Sequence, residues 1–174
     1  RRVLFRSVAD GQFDAAGDGI TITEERDEIV DFSVGYIATE QRLLVRIDED
    51  RIESIEDIVA DEELKLGTQT GTTNYEAAAK FLPEERISAF EQFPFAVQAL
   101  IAGDIDAVIM DDTAGQGYQG ENEDSVKLVG ESISSDFLGF IFPNGSELVE
   151  PVNAAIGELA QNGFLDEVNA VYFG

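Results

Sequence analysis

Asp18-Gly19-Ile20-Thr21-Ile22-Thr23-Glu24-Glu25-Arg26-Asp27-Glu28-Ile29-Val30-Asp31, followed by Phe32-Ser33, decides how this chain is read. Gly19 to Ile22 predicts a strand running into a helix over 23–30. Thr23 suits its N-cap, because a threonine hydroxyl can accept a first-turn N–H. Glu24 and Glu25 suit the positive end of the helix dipole. Arg26 does not. A cation beside the unpaired N–H groups of a first turn is locally unfavourable, but cation and N–H groups together make a strong carboxylate site. In a chain with 36 acidic and 11 basic residues, that placement is informative.

The net charge of −25 over 174 residues excludes nucleic acid as a partner, which needs clustered Lys and Arg, and disfavours anionic membrane surfaces. Hydrophobic residues still make up 44 %, enough for a real core of one domain or two small lobes. Surplus acid with three lysines (Lys65, Lys80, Lys127) predicts a protein soluble in concentrated salt, where screening removes self-repulsion; a halophilic source is expected, with an acidic mesophilic protein as the alternative. Absence of Cys and His removes thiol chemistry, disulfides, Ser-His-Asp catalysis and the usual zinc sites from these residues. Apolar runs fall short of the ~20 residues of a membrane span. Arg2-Val3-Leu4-Phe5-Arg6-Ser7 reads like the translated end of a sequencing adapter joined to a gene fragment, with a native edge segment as the alternative, and residues 1–7 are left out of fold reasoning.

Apolar alternation and turn residues predict strands at 13–16, 42–46, 64–69, 87–90, 105–110, 126–129 and 138–142. Helices are expected at 23–30, 52–59 (weak), 74–81, 95–102 and 149–162, with a last one ending at Val171. The alternation implies an α/β fold with mainly parallel pairing. Gly11-x-x-Asp14-Ala15 and Gly103-x-x-Asp106-Ala107 share spacing, 92 residues apart, and the same offset carries Gly19 onto Asp111. Such an echo supports two similar lobes, with ligand at the carboxyl ends of equivalent strands.

Three groups converge on one ligand description. Arg26 offers a bidentate fork for a carboxylate. Thr72 and Thr73 sit at the mouth of the helix over 74–81, where N–H groups and hydroxyls suit the same anion. Asp111 follows a buried strand and can accept from an ammonium group. Cation at one end and anion at the other describe a zwitterion, most simply a free α-amino acid. Each also has an ordinary structural role: Arg26 pairing with Glu25 or Glu28, Thr73 as an N-cap, Asp111 or Asp112 capping the following segment. Asp106 is expected to be structural. Asp111-Asp112 is not expected to be an acid–base dyad, since strand neighbours point to opposite faces. Glu121-Asn122-Glu123-Asp124 lacks the spaced ligands of a calcium loop and reads as a solvated loop.

The run Thr21-Ile22-Thr23-Glu24-Glu25-Arg26, then Val30-Asp31-Phe32-Ser33 and Tyr36, resembles the signature of the extracytoplasmic solute-binding proteins of polar amino-acid ABC transporters, solute-binding family 3. The resemblance continues through Gly71-Thr72-Thr73, Ala99-Leu100-x-x-Gly103-x-x-Asp106-Ala107-Val108, Asp111, and Gly163-x-x-x-x-Val168 to Tyr172-Phe173-Gly174. It implies a two-lobed type 2 periplasmic-binding-protein-like fold with two hinge strands, near 43–45 and 138–141. Lobe 1 would comprise 1–43 and 138–174, incomplete because the family has a further strand, helix and export or anchor signal before this start; lobe 2 would be 44–137. By position, the resemblance implies Gly19 and Thr21 at the ligand's polar ends, Arg26 on its α-carboxylate, Thr73 adding donors, Asp111 on the α-amino group and Gln69 near the side chain. Gly35 replaces the family's proline before Tyr36. The implied function is capture of a free amino acid between lobes and delivery to a membrane permease and its ATPase, outside the cytoplasm and anchored through the preceding segment. No catalysis, cofactor or metal is expected, and a monomer is. A dehydratase-like enzyme and a sensory ligand-binding module are the alternatives on the same fold.

Overall fold

The structure is a computed structural model that describes residues 2–173. Arg1 and Gly174, the latter part of the Tyr172-Phe173-Gly174 ending, lie outside the described residues. The chain divides into two compact units, residues 1–39 with 136–174 (unit 1) and residues 40–135 (unit 2). Two strands run from one unit into the other: β3 (Ile37–Arg46) and the 17-residue β7 (Val126–Phe142).

Unit 2 is a sheet covered on both faces. Its strands β3, β4 (Leu66–Gln69), β5 (Ile87–Phe90), β6 (Ala107–Asp111) and the start of β7 lie in the order β7-β3-β6-β4-β5. Side chains alternate along a strand. Leu43, Val45, Ala107 and Ile109 therefore enter one core, with Ile55 and Ile58 of α3 (Ile55–Ala60) and Ala77 and Ala78 of α4 (Thr73–Phe81). Leu44, Val108 and Met110 enter the other, against Ala96, Val97 and Leu100 of α5 (Phe93–Ala102). Burial on both faces explains why residues 107–110 are continuously apolar.

Pairing is parallel between β4 and β5 and between β4 and β6, but β3 is antiparallel to β6. The expectation of mainly parallel pairing is corrected accordingly. Parallel neighbours need a crossover connection. The β4–β5 pair is joined through α4, whereas β3 enters unit 2 from unit 1 with no such constraint.

Unit 1 is thinner. β1 (Ala16–Thr21) and β2 (Asp31–Phe32) pair antiparallel with the last part of β7. Val8 of α1 (Arg2–Ala9), Ile20, Val30 and Ile141 form its core, with Leu4 and Phe5 packed against it. Helix α7 (Val149–Gln161) buries Ile156; Gly163, at φ +79°, separates it from α8 (Phe164–Phe173).

Several elements differ from expectation for local reasons. The strand expected at 13–16 begins at Ala16, and Phe13 is exposed. Gly11 (φ +69°) turns the chain out of α1 as Gly103 (φ +83°) turns it out of α5, so both copies of the sequence echo are helix–glycine–strand junctions. The expected strands at 126–129 and 138–142 are parts of β7, which passes through Gly130 at φ +75°. A Cβ there would lie 2.8 Å from the Glu53 carbonyl oxygen, and the Gly130 carbonyl accepts from Arg42 Nε and Nη2. Helix α6 (Asp112–Glu121) has no counterpart in the sequence reading, because Gly115, Gly117 and Gly120 give it poor intrinsic propensity. Leu128 packs where a Gly115 side chain would stand, a close approach that a larger residue would block.

One ion-pair network fastens the far end of β3. The Glu49 carboxylate accepts from Arg51 Nη2 at 2.6 Å and Arg46 Nη2 at 3.2 Å, and Asp106 accepts from Arg51 and from the Lys65 backbone N–H at 3.0 Å each. Asp106 is therefore structural in this unit, as its place at a helix-to-strand turn suggested. Hydrogen bonds from Arg51 hold the Glu49 carboxyl far below its ordinary range, at about 2, against the opposing effect of burial. A folded pKa below the unfolded one gives stability that is present above about 4.5 and lost as pH falls toward about 2. Glu49→Gln should lower stability at neutral pH by about 2–3 kcal/mol and flatten this acid limb, measured by urea denaturation at several pH values; an unchanged limb would contradict the assignment.

Candidate functional site

Each unit carries one cluster of the sequence-selected residues. In unit 1, β1 ends at Thr21, which is buried, and Thr23 caps α2 (Glu24–Asp27), its Oγ1 accepting from the Arg26 N–H at 3.3 Å. The helix expected over 23–30 is this single turn. Pairing of Asp31 with Phe142 draws the chain into β2, so the dipole of α2 is small and any carboxylate affinity rests on the guanidinium. Arg26 is half-buried. Its Nη1 donates to the Thr21 carbonyl at 2.9 Å, and its guanidinium carbon lies 5.6 Å from the Phe5 ring centroid. A backbone carbonyl and a ring face thus orient the guanidinium. Gly19, at φ +56°, precedes Thr21 on the same strand.

Unit 2 assembles a closed set of contacts. Gly71, at φ +68°, turns the chain from β4 into α4. Thr72 is the N-cap: its hydroxyl donates to the Gln69 carbonyl at 2.7 Å and accepts the Tyr75 N–H at 3.2 Å. The cap therefore falls on Thr72, not Thr73. Thr73 opens the helix, and its Oγ1 accepts from Gln41 Nε2 at 3.0 Å. Asp111, at the end of β6, accepts from Asn74 Nδ2 at 3.0 Å. Its side chain makes no cap bond to α6; Asp112 accepts the Thr113 N–H at 2.8 Å and the Glu40 N–H at 3.1 Å instead. Gln69 Nε2 donates to the Glu91 carbonyl at 2.9 Å.

Gln41 and Asn74 were not singled out by sequence reasoning. Gln41 is the cross-strand partner of Asp111, and Asn74 is the neighbour of Thr73, so two side-chain bonds close a ring around the strand ends. An ionised carboxylate accepts only, which obliges Asn74 to present its amide N–H to Asp111. The cost is visible: Asn74 Oδ1 and Gln41 Oε1 are buried without a partner. A polar residue in a strand otherwise buried on both faces was the available signal. A cavity of about 540 Å³ in unit 2, bordered by Leu43, Ser54, Phe81 and Ile133, contains none of these residues.

Comparison with known proteins fixes the family. The model of the bacterial extracellular solute-binding proteins, family 3, matches residues 2–174. The chain belongs to that family. Among family 3 relatives, the glutamate-binding protein GluB of Corynebacterium efficiens is 30 % identical over 162 residues, 90 % of this chain and 54 % of that protein. The glutamine-binding protein GlnH of Bacillus subtilis is 31 % identical over 160 residues, 91 % and 57 % respectively. The chain thus spans little more than half the length of these relatives. An ancestral arginine-binding protein bound to glutamine superposes with TM-score 0.88 at 33 % identity, over 99 % of this chain and 76 % of that one. AncCDT-1, an ancestral amino-acid-binding protein described as a precursor of cyclohexadienyl dehydratase, gives 0.87 at 31 %, over 99 % and 74 %. These solved structures are two-lobed amino-acid-binding proteins, and the α/β fold of this chain is theirs.

The ring in unit 2 predicts energetic coupling. A double-mutant cycle on Asn74→Ala and Asp111→Ala, read by chemical denaturation, should return an interaction of about 1.5–3 kcal/mol, the range for a hydrogen bond to a charged group. Additivity within about 0.3 kcal/mol would show that the carboxylate is held by something else.

Proposed function

We propose that the protein of which these residues form part is the substrate-binding component of an amino-acid ABC transporter. It acts outside the cytoplasm, takes a free amino acid and delivers it to a membrane permease. Arg26 and the backbone around Gly19 and Thr21 receive the ligand's α-carboxylate, Thr72 and Thr73 add hydroxyl and N–H donors at the start of α4, and Asp111 receives the α-ammonium. Gln69 stands beside the ligand's side chain. The observation that carries this reading is the support given to Asp111. Its carboxylate accepts from Asn74 at the end of a buried strand and makes no side-chain cap bond to α6, which supports a role in holding a ligand's ammonium group.

Family membership makes reversible binding the leading reading, and names of relatives such as glutamate-binding and glutamine-binding proteins agree with it. Likeness to AncCDT-1 keeps one enzymatic reading in view. A dehydratase needs a general acid poised over the ligand. The 174 residues offer no histidine for that role, though carboxyls are plentiful. Recovery of the ligand unchanged after incubation separates the two readings.

Thermal and chemical unfolding of the chain in molar KCl, with and without single amino acids, tests the function. One or a few amino acids should add about 2.7 kcal/mol at one hundred times their Kd. Arg26→Ala and Asp111→Asn should each remove that gain while far-UV circular dichroism stays unchanged. A ligand response retained in Arg26→Ala would overturn the carboxylate assignment.

A further inference from the structure

Arg26 and Asp111 address the two groups that every amino acid shares, and leave open which side chain is taken. Unit 1 holds a feature that bears on that choice. Between the pairs Ala16↔Ile141 and Ile20↔Gly139, β1 advances four residues while β7 advances two, so Gly17, Asp18 and Gly19 form an enlarged bulge. Bulges re-aim side chains at the edges of sites. Both flanking glycines are required there. Gly19 has φ +56°, and a Cβ on Gly17 would lie 2.6 Å from Phe140 Cε1.

The Phe140 ring occupies the space where a Gly17 side chain would stand and packs on Tyr36, with ring centroids 4.9 Å apart and planes inclined by 31°. The Tyr36 N–H donates to the Leu138 carbonyl at 3.0 Å and the Ser33 N–H to the Phe140 carbonyl at 2.9 Å, so the Tyr36 segment runs along β7 on the edge opposite β1. Gly17, Phe140 and Tyr36 make one row across unit 1. Asp18 stands exposed beside that row, three residues before the Thr21 carbonyl that orients Arg26. It makes no ion pair among the described residues. Its charge nevertheless reaches the phenol: burial, and then Asp18, hold the Tyr36 hydroxyl above its ordinary ionisation range.

We infer that Asp18 is a specificity-determining residue of the unit 1 half-site, and that with the Tyr36–Phe140 pair it selects amino acids bearing a cationic side chain. A carboxylate beside two aromatic rings offers a guanidinium or ammonium group both an ion pair and a ring surface. The same carboxylate repels an acidic side chain. This inference rests on the amino-acid reading of the site and deepens it to a ligand class.

Calorimetric titration of the chain with L-arginine, L-citrulline, L-glutamine and L-glutamate is the test. Citrulline matches arginine in shape and lacks its charge. Arginine should bind about tenfold tighter than citrulline, and Asp18→Asn should weaken arginine far more than citrulline, closing most of that gap. Equal affinity for arginine and citrulline, an equal loss of both in Asp18→Asn, or glutamate binding tightest would overturn the role of Asp18 while leaving the amino-acid reading intact. Binding of none of the four would overturn this inference, and the response to the remaining amino acids then decides the amino-acid reading separately.

Discussion

The antiparallel register of β3 on β6, which sets Gln41 opposite Asp111, is the constraint on which unit 2 depends. A slip of one residue would exchange the two faces of β3 and send Leu43 and Val45 into the core that receives Leu44. Both cores would then be misfilled, so packing enforces the register far from the site. With the register fixed, Gln41 reaches Thr73 and Asn74 reaches Asp111, so consecutive residues tie the start of α4 to β3 and to the end of β6. Hydrophobic burial thus positions a carboxylate that itself contributes nothing to burial.

Unit 1 solves a related problem with backbone freedom. Its core is small, and the strand that leads to Arg26 is irregular. Glycines at 17 and 19 let β1 bulge under the Phe140 ring and regain register at Ile20 before the chain caps α2 with Thr23. The Arg26 guanidinium is then held by a carbonyl five residues earlier in the chain, a local interaction that survives small changes elsewhere. One cluster is built by long-range packing and the other by a short stretch of chain.

That difference explains what could be read from sequence. The Thr23 cap, the Arg26 placed in the first turn after it, the β4–glycine–α4 junction and the glycine echo at 11 and 103 are local, and local chemistry announces them. Strand direction is not local. The alternation of helices and strands suggests parallel pairing, yet β3 runs antiparallel to β6 because its chain arrives from the other unit. Helix α6 was illegible for the opposite reason: three glycines contradict its local propensity, and close packing of Gly115 on Leu128 overrides it. Thr72 rather than Thr73 caps α4, a one-residue difference that only the turn at Gly71 decides. Gln41 and Asn74 were invisible because an amide in a buried element declares its purpose only when its partner is known. Charge composition argues against a nucleic-acid partner but says nothing about the identity of a small ligand.

The central claim is that both ends of a free amino acid are recognised, its carboxylate by a cation and its ammonium by an anion. The measurement that addresses it most directly is calorimetric titration with one bound L-amino acid, its methyl ester and its N-acetyl derivative. Esterification removes the negative end and acetylation the positive end, while the side chain is kept. The account predicts that each modification abolishes measurable binding. An ester or N-acetyl derivative binding as tightly as the parent amino acid would contradict it.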